Sequence, residues 1–317
     1  MLLAEEVQHF VRSPDWTWFI LFYFFFAGIS GGAYAIAALF RLRGEPSDEH
    51  AARLGHYVSF AALLPCPVML VLDLGSPLRF WHMMWNTTPG EAGFNFKYWS
   101  PMSVGVWALL VFGAFATVSF IQALVRDGRI RLSLVRRPVK LLDGVLGELV
   151  VAIGAVFGLF VAGYTGVLLS VSNQPVWSDT WALGGLFLAS GMTASAALLL
   201  LLLRHRRSAE PSAAKLIVSE RLYALLELAL IVIFLLTLIP ADAVGTVFGF
   251  PWILLWLVVF AGLLPGVGGL LASRLAVTGE GVPVPLQSAS AVRSLAMPAL
   301  VLLGVLALRA AVIFSIQ

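Results

Sequence analysis

The chain has 317 residues, of which 60% are hydrophobic and only 12% charged, with a mean hydropathy of +0.94. A water-soluble core cannot bury that share of apolar surface, so the solvent for most of this protein is lipid. A formal charge of +3 says little by itself, and the single cysteine, Cys66, excludes an internal disulfide and any iron–sulfur cluster ligated by cysteines of this chain alone.

Eight apolar runs long enough to cross a bilayer are expected at about 16–41, 54–73, 101–125, 144–170, 181–203, 221–240, 250–274 and 293–315. The first is expected to be a retained span rather than a signal peptide, because no short apolar region precedes a small-residue cleavage site. The predicted fold class is an all-α integral membrane protein, since no strand-like alternation competes and open sheet edges are not tolerated in hydrocarbon.

The spans are separated by RLRGEPSDEHAAR, a long loop at 74–100, RDGRIRLSLVRRPVK, SNQPVWSD, RHRRSAEPSAAK, ADAV and TGEGVPVPLQ. With an even number of spans, one side carries three lysines and arginines (Arg12, Arg79, Lys97) against sixteen on the other; Arg309 lies within the last span. The positive-inside rule then puts both termini and the 74–100 loop outside the cytoplasm, in the inner (cytoplasmic) membrane.

In span one, Tyr23 precedes a small-residue stretch, GISGG at 28–32, that lets helix backbones approach each other. FFFAGISGGAYAIAALFRLR at 24–43 aligns with FLASGMTASAALLLLLLRHR at 187–206, placing Arg41 on Arg204, 163 positions later. Two parallel four-helix bundles, 1–170 and 171–317, are therefore expected; chance similarity between apolar helices is the alternative. GVGG at 266–269 reads as a packing surface rather than a nucleotide loop.

Span two ends in DLGSPLRFWHMM, residues 73–84. Asp73 closes the span, Gly75 and Pro77 turn the chain, and Arg79 is placed to pair with Asp73. The rest reads as an amphipathic segment in the outer interface, with Trp81, Met83 and Trp85 toward lipid. Two readings stand for it: an interfacial anchor, or the rim of a pocket in which His82 carries protons.

Charges within spans need a reason, because each costs about 2.5–3.5 kcal/mol on insertion scales. Asp143 and Glu148 sit near the cytoplasmic end of span four, Glu227 at the middle of span six and Arg309 in the outer third of span eight. Interhelical ion pairs and a proton relay through Glu148 and Glu227 both fit. Tyr23 and Tyr164 lie too deep for the interfacial aromatic belt, which points to a ligand-facing role for the two phenols. The five histidines (His9, His50, His56, His82, His205) offer no facing pair inside the spans, so no haem bound by this chain is expected, and no metal-binding spacing occurs.

Four stretches carry a resemblance: WTWFILFYFFFAGISGG in span one, DLGSPLRFW after span two, SPMSVGVW at 100–107 and YTGVLLS at 164–170. With these, and with its eight spans, the sequence resembles the NrfD / polysulfide-reductase membrane-subunit family along essentially its whole length. The resemblance implies a subunit without bound haem or iron–sulfur cluster that exchanges electrons with quinone or quinol (menaquinone or ubiquinone). It implies a four-cluster iron–sulfur partner subunit and a molybdopterin catalytic subunit on the outer face. It also implies that Tyr164 and Tyr23 hold the quinone carbonyls near that face. Tyr23 stands where some relatives have histidine, and Ile20 stands at a neighbouring asparagine position. Asp73, Arg79 and His82 complete the expected quinone-binding set, and the loop becomes a lid and landing surface. An ion or solute transporter using Glu227 and Glu148, and a passive membrane anchor, are the competing readings.

Overall fold

The computed structural model describes residues 15–130, 137, 139–204, 210–277 and 291–317. Arg12, His9, His205 and the parts of the expected loops at 131–136, 138, 205–209 and 278–290 lie outside the described residues.

Eight helices among the described residues are long and apolar enough to cross a membrane. The protein is a multi-pass, all-α membrane protein. Span one is α1 (Trp18–Arg43). Thr17 caps it by accepting from the Phe19 backbone N–H at 3.3 Å. Two arginines close it, where the helix dipole favours positive charge. Span two is built from α2 (Glu49–Leu63) and α3 (Pro65–Asp73). Pro65 has no N–H to continue the ladder, but Leu64 keeps helical dihedrals, so the two run on as one crossing. Then come α4 (Pro101–Arg126), capped by Ser100, and α5 (Val145–Ser170). These are followed by α6 (Leu183–Leu203), α7 (Glu210–Leu238), the short α8 (Val244–Phe248), α9 (Trp252–Val277) and α10 (Ala291–Phe314). The expected spans were right to within a few residues except at the start of two and six, where amphipathic turns extend the helices past the apolar run.

One end of the bundle carries the C-terminus and the start of α1, and is called here the terminal face. The opposite, basic face carries Arg41, Arg53 and Arg126. The long loop on the terminal face contains a 3₁₀ turn at Pro77–Met83 and a two-residue antiparallel hairpin, β1 (Trp85–Asn86) with β2 (Gly93–Phe94).

Two helices are central. In α1, 78% of the most apolar window is buried inside the protein, and in α6 72%, against 28–56% in the other six spans. Helix α1 packs on α2, α3, α5, α6 and α10, and α6 on α1, α5, α7 and α10. Their contact is made by residues 163 positions apart. A Cβ added to Gly191 would lie 3.0 Å from the Gly28 carbonyl oxygen, and one added to Gly32 would collide with the Ser195 hydroxyl. Ser195 donates to the Ile29 carbonyl at 3.0 Å across the same seam. Lipid supplies no hydrophobic drive between helices, so such close backbone approach is what dispersion needs to hold them.

Arg309 of α10 completes the seam. Fully buried, it donates from Nε to the Phe24 carbonyl (3.3 Å) and from Nη2 to the Phe187 carbonyl (3.2 Å), again positions 163 apart. It also donates to Ser190 Oγ at 3.0 Å, and its guanidinium lies 5.0 Å from the Phe187 ring centre.

Both faces have their own ties. On the terminal face Trp16 stacks on Trp177 (4.9 Å), whose indole donates to the Val312 carbonyl at 2.7 Å. On the basic face the buried Asp48 accepts from Ser212 (2.7 Å), Lys215 (2.6 Å) and the Glu45 backbone N–H (2.9 Å), joining the α1–α2 turn to α7.

Gly191→Leu forces α1 and α6 apart against backbone that cannot yield. Its expected cost exceeds the usual overpacking penalty of about 1–3 kcal/mol, whereas Gly75→Ala, with nothing within 4 Å of the new Cβ, is neutral. Thermal unfolding in detergent checks both; equal midpoints for the two variants contradict the seam.

Candidate functional site

The site is built at the terminal-face end of α1, α3, α4 and α5. Tyr23 of α1 is 4% exposed and lies within electrostatic range of Cys66 on α3 and Tyr164 on α5. The two tyrosines singled out in the sequence thus share one neighbourhood. Among the described residues the Tyr23 hydroxyl makes no hydrogen bond to the protein. A buried phenol ordinarily finds a partner, because leaving its hydroxyl unpaired costs about 1–3 kcal/mol.

Tyr164 is differently employed. Its hydroxyl donates to the Pro101 carbonyl in the first turn of α4, and its ring stacks on Phe160 at 5.5 Å. Gly105 makes room for the ring: a Cβ there would sit 2.5 Å from Tyr164 Cζ. This accounts for the SPMSVGVW stretch. Its serine caps α4, its proline starts the helix and offers the carbonyl, and its glycine receives the tyrosine.

Asp73 closes α3 one side chain away from the start of α1, where its carboxylate accepts from Thr17 Oγ1 at 3.2 Å. The expected Asp73–Arg79 ion pair does not form. Arg79 is exposed in the 3₁₀ turn, and Thr17 takes the carboxylate instead. His82 is half-buried, with its ring against Trp81 at 4.1 Å, and its backbone carbonyl accepts from Asn95 at 2.9 Å. Trp107 of α4 in turn donates to the Asn95 carbonyl at 3.0 Å and packs on Phe94 at 4.5 Å. The loop is therefore anchored over α4 while Leu78, Phe94, Tyr98 and Trp99 stand exposed.

A large apolar crevice, about 820 Å³, lies elsewhere. Trp18 and Leu21 of α1, Trp252 of α9 and Ala310 and Phe314 of α10 line it. Leu21 and Tyr23 are two residues apart and so point about 200° apart around α1. The crevice and the tyrosine site flank the same helix on opposite sides.

The expected proton relay is not continuous. Glu148 is exposed in the first turn of α5 at the basic face. Glu227 is buried in α7, with Oε2 unpartnered and with Thr193 and Arg309 as polar neighbours. Among the described residues no ion pair joins Glu227 to Arg309, because the guanidinium is spent on the carbonyls of α1 and α6. Asp143 does pair across helices, with Arg126 at 3.2 Å. Sequence reasoning missed Cys66, Thr17 and Gly105. A cap threonine before the span and a glycine near the start of an apolar helix were the available signals for the last two.

The arrangement so far defines a helical membrane protein with phenols and a carboxylate gathered under an aromatic loop. The family model described as "Polysulphide reductase, NrfD" matches residues 6–317, and the chain belongs to that family. It is 28% identical over 216 residues to "Protein NrfD" of Escherichia coli, covering 64% of each sequence. It is 28% identical over 195 residues to the C component of polysulfide reductase of Wolinella succinogenes, covering 56% of this sequence and 55% of that one. To the C component of selenate reductase of Mesobacillus selenatarsenatis it is 26% identical over 101 residues, 30% of this sequence and 24% of the relative. The chain thus spans less than two thirds of the length of each of these curated relatives.

Gly105→Val drives the Tyr164 ring off the Pro101 carbonyl. The expected result is a fall of several degrees in the detergent unfolding midpoint, of the size overpacking gives. Gly113→Val, where a Cβ meets only Leu63 at 3.8 Å, serves as the tolerated control.

Proposed function

We propose that this protein is the quinone-reactive membrane subunit of a respiratory oxidoreductase complex. It exchanges electrons between the quinone/quinol pool and an iron–sulfur partner subunit, which joins it to a molybdopterin catalytic subunit. Two of its relatives are named as lettered components of reductases, which supports a place within a complex. The observation that carries the reading is Tyr23, a buried tyrosine whose hydroxyl makes no hydrogen bond among the described residues and which lies within electrostatic range of Cys66 and Tyr164.

A quinone supplies two-electron, two-proton chemistry that no side chain here can supply. The protein's part is to bind and orient an apolar ring with two hydrogen-bonding ends. Tyr23 donates to one carbonyl. Tyr164 donates to the other by exchanging its bond to the Pro101 carbonyl for one to the ligand. Asp73, near the surface, and His82 in the loop exchange protons with the water above. The exposed Leu78, Phe94, Tyr98 and Trp99 form the landing surface for the iron–sulfur partner, and Arg79 lies at its edge.

In this reading the terminal face is outside the cytoplasm, which the 3-to-16 distribution of lysine and arginine supports. The halves 1–170 and 171–317 are two repeats about an axis along the membrane normal. The contacts between positions 163 apart support that division. Glu227 serves as the proton-exchanging carboxyl of the second half, and Glu148 as a surface carboxylate at the cytoplasmic end of α5.

Tyr23→Phe removes no hydrogen bond found among the described residues, so the folded complex should keep its stability. Its quinone-linked turnover should fall about tenfold, the equivalent of one hydrogen bond, with the dye-linked activity of the soluble partners unchanged. Tyr164→Phe should lower both turnover and stability, because it also frees Pro101. Wild-type quinone turnover in Tyr23→Phe, measured on the intact complex, would sink the site.

A further inference from the structure

His56 of α2 is 2% exposed, and neither ring nitrogen has a hydrogen-bond partner. Buried polar groups are paired in the great majority of cases, so an imidazole with both nitrogens open requires an explanation. Beside it lies a cavity of about 10 Å³ lined by Arg41, Glu49, Arg53, His56, Ser119 and Arg126. That is the size of one water molecule, and the lining offers that water several polar partners.

The cavity opens toward the basic face through a belt of ion pairs. Arg126 holds Glu49 (3.0 Å) and Asp143 (3.2 Å), and Arg53 holds Asp127 (2.9 Å) and Glu49 (3.6 Å). The Glu49 and Asp143 side chains are 35% and 54% exposed, so both acids touch bulk water. Arg41 of α1 is turned aside to Gln122 and the Leu142 carbonyl. The groups facing His56 are thus Arg41 and Tyr34 from α1, Glu49 and Arg53 from its own helix, and Ser119 and Arg126 from α4.

On its other side His56 begins a polar seam between α1 and the α2–α3 span. Tyr34 meets the imidazole edge-on at 4.9 Å and shares a hydrogen bond with Ser119 at 2.7 Å. One level up, Ser30 donates to the Ser59 carbonyl at 2.8 Å, with the two hydroxyls 3.4 Å apart. Cys66 then faces Tyr23, and Asp73 meets Thr17. The longest intervals, from Ser59 to Cys66 and from Cys66 to Asp73, are each seven residues or about 10 Å along the helix.

We propose that His56 is a proton port connecting the basic face to the Tyr23 pocket, an assignment that rests on the quinone reading above. The imidazole takes a proton from the cavity water on one nitrogen and gives up a proton from the other toward the seam, returning to its neutral form. For each quinone reduced, two electrons come from the iron–sulfur partner and two protons pass this port. For each quinol oxidised, both run in reverse. Imidazole is suited to this because one ring nitrogen accepts a proton as the other gives one up.

The test uses the intact complex in proteoliposomes, with a water-soluble quinone analogue and pH dyes in both compartments. Wild type should move protons on the side of the basic face in step with quinone turnover. His56→Gln keeps polarity without a nitrogen that can take up and release a proton, and should lower basic-face protons per quinone at least fivefold while partner binding and dye-linked activity persist. An unchanged ratio overturns the port. Should His56→Gln fail to assemble, infrared difference spectra of wild type with isotope-labelled histidine decide the matter. A histidine band that changes with quinone reduction supports the port, and its absence overturns it. Quinone turnover with every proton on the terminal face overturns the port alone; no quinone turnover by wild type overturns the quinone reading and the port together.

Discussion

One guanidinium, laid across two helices at equivalent positions, organises this molecule. Arg309 reaches the Phe24 and Phe187 carbonyls together, and those residues flank the glycines at which α1 and α6 touch. In hydrocarbon a buried cation is costly unless its donors are used, and arginine's rigid fork suits two acceptors that point the same way. The small residues bring the helices close enough for one side chain to span both, and the side chain holds them there. Remove the close approach and the fork has no second acceptor.

From that seam the rest of the arrangement follows. Because α1 is enclosed, its successive faces look into different environments. Gly28 and Gly32 face α6, Leu21 faces the apolar crevice against α9 and α10, and Tyr23, Ser30 and Tyr34 face α2, α3 and α5. A helix turned by one residue would put Tyr23 toward another neighbour. The phenol that the proposed chemistry needs is thus positioned by contacts on the far side of its own helix. The crevice, lined by apolar groups apart from Gln317 and the indole N–H groups of Trp18 and Trp252, suits hydrocarbon chains, whereas the tyrosine side suits a ring with carbonyls.

Much of the site was legible before any tertiary contact was known. Tyr23 and Tyr164 were singled out because phenols at that depth are unusual, and they do share one neighbourhood. Their roles were not legible, since Tyr164 is held by a backbone carbonyl, and backbone carbonyls leave no mark in sequence. Asp73 and Arg79 read as an ion pair because they are close in the chain and opposite in charge. A 3₁₀ turn and a threonine from 56 positions earlier decided otherwise. Glu148 and Glu227 were both read as relay carboxyls, yet one is solvated at a helix start and the other buried with Arg309 as a polar neighbour. His56 drew no attention as a lone imidazole near a span end. Its significance comes from what surrounds it.

The amino-acid order by itself determined the solvent, the number and length of the crossings, the asymmetry of charge across the membrane and the motifs of the family. Each of these is a one-dimensional quantity: a hydropathy sum, a run length, a count by side, a local string. Only the tertiary structure decided which polar group meets which. In a bilayer every helix carries the same apolar exterior, so hydropathy cannot distinguish one pairing from another. The choice falls to small-residue contacts and a few directional bonds between residues far apart in the chain.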